Sequence, residues 1–339
     1  MATEGGTRAV VAALLANVGL AITKFIAWLL TGASSMLAES VHSVADSGNQ
    51  VLLLAGGRHA RRKATPEHPF GYGRVRYVYA FVVSIVLFSL GGVFALNEAR
   101  HKYAEVRDGH PNELLDSRWW WVPIAVCVAG IIMEGFSLRT AVVESNKIRG
   151  RGSWVQFVRR AKAPELPVIL LEDLGALLGL VFALFGVGLT LITENGYWDV
   201  AGTAAIGVLL VVIAVILALE MSSLLIGEGA SEETVDVIAA ALAGDGGGRV
   251  IHLRTLYVGP EELLVAAKIG IDATQSGDQI AEAIDTAEMR VRVAAPEATS
   301  IYLEPDVYRP NASEPSASAD TDRGPSASAD TDRGPSATA

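Results

Sequence analysis

Residues 36–50 read MLAESVHSVADSGNQ, which sets Glu39, His42 and Asp46 at i, i+3 and i+7. On a helix all three side chains share one face, and Asn49 extends the same stripe. A second acidic pair, Glu172 and Asp173, interrupts the apolar run LPVILLEDLGALLGL. Carboxylates are hard oxygen ligands and an imidazole adds a nitrogen. Two such groups at i, i+4 on one helix, met by carboxylates from another, can enclose a divalent cation. Adjacent residues diverge by about 100° around a helix, so one of Glu172 and Asp173 is expected to face the ion, and Asp173 is favoured. The alternative is structural, with the polar groups bonding helix to helix. That is the default for a lone polar residue, but a less economical account of two clusters holding five ionisable groups. Glu39, nearer the end of its segment, admits either reading.

Both clusters lie where charge is expensive. The chain has 339 residues, is 51% hydrophobic and has a mean hydropathy of +0.37. Six windows, at 9–30, 36–57, 78–97, 119–143, 166–192 and 198–226, reach the roughly 20 residues needed to cross a bilayer. A charged residue at mid-span costs about 2.5–3.5 kcal/mol on insertion scales, so it is expected to face a bundle interior or a water-filled cavity. The first window reads as a retained helix, lacking the charge asymmetry and small-residue cleavage site of a leader. Other intramembrane candidates are Asn17, Lys24, Glu134 and Glu220. Lys24 is placed to neutralise a carboxylate or to snorkel to the surface, and Glu134 to relay protons or to bond a neighbouring span. Small residues at Gly175, Gly179 and Gly186 let helices approach closely, and Trp119, Trp120 and Trp121 suit an interfacial belt.

The loops orient the bundle. Arg58, Arg61, Arg62, Lys63, Arg74 and Arg76 follow the second window, and Lys147, Arg149, Arg151, Arg159, Arg160 and Lys162 follow the fourth. The loops after the first and fifth windows carry no Lys or Arg. The positive-inside rule therefore places both basic loops, and both termini, in the cytoplasm. The expectation is a multi-pass protein of the cell membrane, with a transmembrane domain over 1–228.

After Glu228 the pattern becomes α-β-β-α-β. A small cytoplasmic α+β domain over 229–310 is expected, with one antiparallel sheet and helices on one face. At about 80 residues such a domain gains from burying surface against a second copy. The decapeptide at 315–324 repeats at 325–334 and lacks the apolar residues to offset ordering entropy, so 311–339 is expected to be disordered. The formal net charge of −10 gives no basic face for nucleic acid, and the single Cys127 permits neither a disulfide framework nor a thiolate cluster.

The stretch SSMLAESVHSVADSGNQ resembles the second span of the cation diffusion facilitator, or cation efflux, family. HPFGYGRVRYVYAF, EGFSL, LLEDLGALLG and YWDVAGTAAIG…SLLIGEGA resemble later segments of that family in the same order. The likeness covers about residues 8–308. It implies six transmembrane helices and a ferredoxin-like cytoplasmic domain, a homodimer, and exchange of metal for protons through four ligands paired at i, i+4 on spans two and five. Here His42 and Asp46 match the first pair and Asp173 the second member of the other. Its first member falls on Ile169, which cannot bind metal, and this leaves Glu172 or a water to complete the set. The resemblance favours zinc as cargo; a carboxylate-rich site also suits manganese, iron or cobalt. His68 matches a further family ligand, but Thr65 and Tyr72 stand where some members carry His or Asp, so His59 and His68 read as solvated loop residues. His252 reads as a surface residue on a strand.

The expected function is therefore divalent cation efflux by metal–proton antiport with alternating access. No enzymatic activity and no resident cofactor are expected. The expected partners are divalent ions, protons, the lipid bilayer and a second copy of the chain. Two other readings stand beside it. A membrane scaffold would use the polar stripe structurally, and a metallohydrolase would need an open zinc position, for which no HExxH is present.

Overall fold

A computed structural model describes residues 4–110, 113–150, 152–244 and 249–307, with side chains from residue 17 onward. The expected tail, 311–339, lies outside the described residues. Helix α1 (Glu4–Thr31) turns at Gly32 into α2 (Ser34–Ala60). Gly32 takes φ +63°, and a Cβ there would lie 2.1 Å from Glu113 Oε2, so both conformation and space call for glycine. Helix α3 (Val75–Val86) continues through a π-helical segment, Leu87–Val93, into α4 (Phe94–Arg107) without a break. There Gly91 and Gly92 bring the backbone against Leu210 and Val211. A short α5 (Glu113–Asp116) precedes α6 (Trp121–Arg149), α7 (Trp154–Arg160), α8 (Glu165–Thr193) and α9 (Tyr197–Ile226).

Four of these stretches, Val75–Arg107, Trp121–Arg149, Glu165–Thr193 and Tyr197–Ile226, are long and apolar enough to cross a membrane. Helices α1 and α2 complete a group of six long helices, but α2 is too polar to stand alone in lipid. It is enclosed instead, packing on α1, α3, α8 and α9. Its stripe from Ser34 to Asn49 is largely buried, whereas Val44, Val51 and Leu54 face outward. The bundle core is apolar, built on Met36, Leu87, Leu180, Ile206, Leu210 and Leu217.

One long-range contact starts α2. Asp199, in the first turn of α9, accepts hydrogen bonds from the backbone N–H of Ser34 (2.8 Å) and Ser35 (3.4 Å) and from both serine hydroxyls (3.0 and 2.6 Å). It is 2% exposed. The first N–H groups of a helix have no partner within it, and Ala33, at the cap position, has no side-chain oxygen to offer. A carboxylate 165 residues away in sequence does this work, with Thr203 also bonded to Ser34 Oγ (2.8 Å).

The second domain follows: α10 (Glu232–Ala243), β1 (Arg249–Gly259), β2 (Glu262–Ile271), α11 (Gly277–Ala294) and β3 (Ala298–Val307). The α-β-β-α-β order is as expected. Ser231 and Ser276 cap the two helices, the latter in a reciprocal capping box with Gln279. The sheet departs from expectation. Strand order is β1-β2-β3; β1 and β2 are antiparallel, but β3 runs parallel to β2. The reason is the crossover helix α11, which carries the chain back along the sheet before β3 begins. Alternate residues of β2, Leu263, Val265, Ala267 and Ile269, face a core shared with Ile238, Ala287 and Val291.

Polar contacts seat this domain on the bundle. Lys162 pairs with Glu228 and lies 5.4 Å over the Tyr257 ring, while Tyr257 N–H donates to Glu228 O at 2.9 Å. Gly73 meets Gly259 and Glu262 so closely that a Cβ would lie 2.5 Å from Glu262 Oε2. Burial there pushes the Glu262 carboxyl up, against the opposing pull of Arg76.

Asp199→Ala is expected to destabilise the protein by about 3 kcal/mol, because it strands the donors at the start of α2. Asp199→Asn keeps part of the acceptor and is expected to cost less. Thermal unfolding in detergent checks both, and equal midpoints for Asp199→Ala and wild type would refute the assignment.

Candidate functional site

The two polar clusters meet. Between α1, α2, α6 and α8 lies a cavity of about 20 Å³, room for one water-sized species. Asn17 and Leu20 border it from α1, and Ser43, Asp46 and Gln50 from α2. Glu134 borders it from α6, and Ile169, Glu172, Asp173 and Ala176 from α8. Four carboxylates from three helices thus share one space, and the apolar Ile169 occupies a wall position.

Both acidic residues of α8 border the cavity: Asp173, the favoured ligand, and Glu172, the substitute for the position that Ile169 occupies. Their directions do diverge, but α8 is wedged between two partners. Glu172 accepts a hydrogen bond from Asn49 Nδ2 of α2 at 2.6 Å, and Asp173 accepts one from Ser137 Oγ of α6 at 2.8 Å. The 100° between them spans the cavity rather than excluding one of them from it.

His42 is fully buried, and neither ring nitrogen has a hydrogen-bond partner. Its Nδ1 lies 3.4 Å from Asp46 Oδ1, an oxygen that is itself without a hydrogen bond. Buried polar atoms are nearly always satisfied, and here His42 Nδ1, His42 Nε2 and Asp46 Oδ1 lie near one another without a hydrogen bond. Imidazole nitrogen and carboxylate oxygen are both donors that a divalent metal accepts.

Glu39 is engaged elsewhere. Lys24 Nζ donates to Glu39 Oε2 and to Ser43 Oγ, each at 2.8 Å, and both charged side chains are wholly buried. Of the two roles open to Lys24, neutralising a carboxylate is the one found. Among the described residues no three His, Cys, Asp or Glu side chains are gathered tightly enough to grip an ion. Asn49, Ser137 and Lys24 draw Glu172, Asp173 and Glu39 each to a separate neighbour rather than to a common point.

The remaining candidates separate cleanly. Glu220 lies outside this cavity, 3.7 Å from Arg159, in a groove between α6, α7, α8 and α9. His252 is exposed on β1. The Tyr72 ring lies 5.6 Å from that of His59 and 4.7 Å from that of His68, a stack in the basic loop. Sequence reasoning passed over Ser137 and Gln50, whose polarity is unremarkable by itself, and Asp199. The last was detectable as a solitary acid at the start of an apolar helix.

A family profile described as the cation efflux transmembrane domain matches residues 10–226. The chain belongs to the cation efflux family. It is accordingly a multi-pass membrane protein. Among its relatives is the mitochondrial proton-coupled zinc antiporter SLC30A9. The Xenopus laevis protein is 29% identical over 275 residues, covering 80% of this chain and 48% of its own length. The human protein is 30% identical over 258 residues, covering 74% of this chain and 43% of its own. Metal tolerance protein C4 of Arabidopsis thaliana is 28% identical over 242 residues, covering 70% and 51%. This cation efflux protein thus spans about half the length of the curated relatives it matches.

The Asn49–Glu172 bond offers a stability test. Asn49→Leu leaves a buried carboxylate oxygen without its donor and is expected to cost about 1–3 kcal/mol; pairing it with Glu172→Leu is expected to recover most of the loss. A double-mutant cycle read by thermal unfolding checks this, and additive losses would show the two groups to be uncoupled.

Proposed function

We propose that this cation efflux protein exports a divalent metal ion in exchange for protons, with zinc the favoured cargo and manganese, iron and cobalt within reach of the same ligands. The carrying observation is the orphaned His42 imidazole 3.4 Å from Asp46, whose carboxylate borders, together with Glu172 and Asp173 of α8, a cavity that His42 itself does not line. The names of the SLC30A9 relatives support zinc and proton coupling.

In this reading the ion enters from the basic-loop end and is bound by His42, Asp46 and Asp173. Glu172 leaves Asn49 to supply the fourth donor where the family position is Ile169. Glu134 stands across the cavity as a proton acceptor. Ligands must be deprotonated to bind metal, so binding releases protons and protonation releases metal. The loop charges support an orientation with both termini on the side of the basic loops, and six crossings of the cell membrane complete this reading. Rocking of helices then exposes the ion to the other face. The cytoplasmic domain, whose α11 leaves Met289 and Val293 exposed, would pair with a second copy.

Proteoliposomes with an imposed pH gradient test the exchange. Zinc accumulation is expected to collapse when the gradient is dissipated, and to fall to background in His42→Ala or Asp46→Ala. Wild-type flux in either variant would overturn the site. In isothermal titration, Asp173→Asn is expected to weaken zinc binding on the order of 100-fold, the upper range for disturbing a metal site. Apparent affinity should rise with pH, because fewer protons then compete for the ligands. A scaffold with a structural stripe predicts no stoichiometric binding at all.

A further inference from the structure

A wholly buried lysine paired with a wholly buried glutamate is a poor device for stability, since an apolar pair of similar volume would serve as well or better. Its position suggests another use. Four helices line the acid cavity, and each carries a packing residue one turn nearer the Gly32 end of the bundle. On α1 the step is from Leu20 to Lys24, on α2 from Ser43 to Glu39, on α8 from Ala176 to Gly179 and Leu180, and on α6 from Glu134 to Gly130. These residues meet one another. Lys24 bonds Glu39 at 2.8 Å. A Cβ on Gly179 would lie 2.3 Å from Glu39 Oε1, so the carboxylate rests on bare α8 backbone. A Cβ on Gly130 would lie 2.9 Å from the Leu180 side chain. Exposure falls in step: the Asp46 side chain is 13% exposed, while His42, Glu39 and Lys24 are at 0%.

We infer that Lys24 and Glu39, seated on Gly179, form the seal that closes the cation path toward the Gly32 end. The inference rests on the transport reading above. An ion leaving by that end must pass the level where the four helices touch, and the ion pair is the polar part of that contact. The pair suits the role because it is breakable. Lys24 already holds Ser43, a residue of the cavity wall, so its ammonium has a second anchor when Glu39 is released. Two neutral apolar residues at the same level would leave a permanent hydrophobic plug.

Sidedness of access tests the seal apart from transport. Leu20→Cys, placed in the cavity wall of a Cys127→Ala background, is reconstituted into vesicles and treated with a membrane-impermeant thiol reagent from each face. With Lys24, Glu39 and Gly179 intact, labelling from the Gly32 face is expected to be slow. Lys24→Ala, and separately Gly179→Ala, which displaces the Glu39 carboxylate while keeping both charges, are each expected to raise that rate about tenfold or more. Labelling from the basic-loop face should not change, whereas general loosening would raise both. An unchanged Gly32-face rate in either variant, or equal rises from both faces, overturns the inference. Zinc titration of the wild type separates the two claims: loss of binding there would sink the transport reading and leave the labelling result to stand or fall alone.

Discussion

A charged side chain surrounded by hydrocarbon has no water to turn to, and α2 carries Glu39 and Asp46 with His42 between them. The bundle is arranged around that constraint. Each acid finds a protein donor or borders the cavity between α1, α2, α6 and α8, and α2 is enclosed on several sides, which buries most of its stripe. Because insertion of each such charge costs about 2.5–3.5 kcal/mol, the neighbouring helices must present matched groups at matched heights. Lys24 meets Glu39 at one level of the bundle, and Asn49 meets Glu172 and Ser137 meets Asp173 together at another.

Close approach makes these matches reachable. Side chains of two to four bonds cannot bridge helices held apart by bulky neighbours. At Gly186 a Cβ would come within 3.0 Å of Trp198 O, and at Gly202 within 2.9 Å of Phe182 O, so α8 and α9 are in backbone contact. The same tightness brings Asp199 to the start of α2. The apolar packing and the polar contacts are therefore one design: glycines set the spacing, and the spacing decides which acids can be satisfied.

Much of this was readable in the chain. The stripe at positions 39, 42 and 46 has helical period inside an apolar window, and a buried face is the only economical place for it. The order of elements in the second domain followed from alternation and capping residues. What escaped were relations between distant segments. The parallel pairing of β3 depends on which edge of β2 the crossover returns to, which no local pattern states. The joint presence of Glu172 and Asp173 at one cavity depends on α8 being wedged between α2 and α6. Asp199 reaches across the fold to Ser34 and Ser35, and a solitary acid has no period to betray it. Lys24 was visible as a problem, and only packing showed that Glu39 is its answer.

The π-helical segment Leu87–Val93 has a mechanical implication. A π turn accommodates one more residue than an α turn, so it holds slack in an otherwise regular rod. Converting it to ordinary α-helix would twist α4 by about 100° relative to α3 and lengthen the rod slightly. Since Gly91 and Gly92 press on Leu210 and Val211 at this spot, that torsion would be delivered straight to α9 and, through Glu228, to the sheet beyond it.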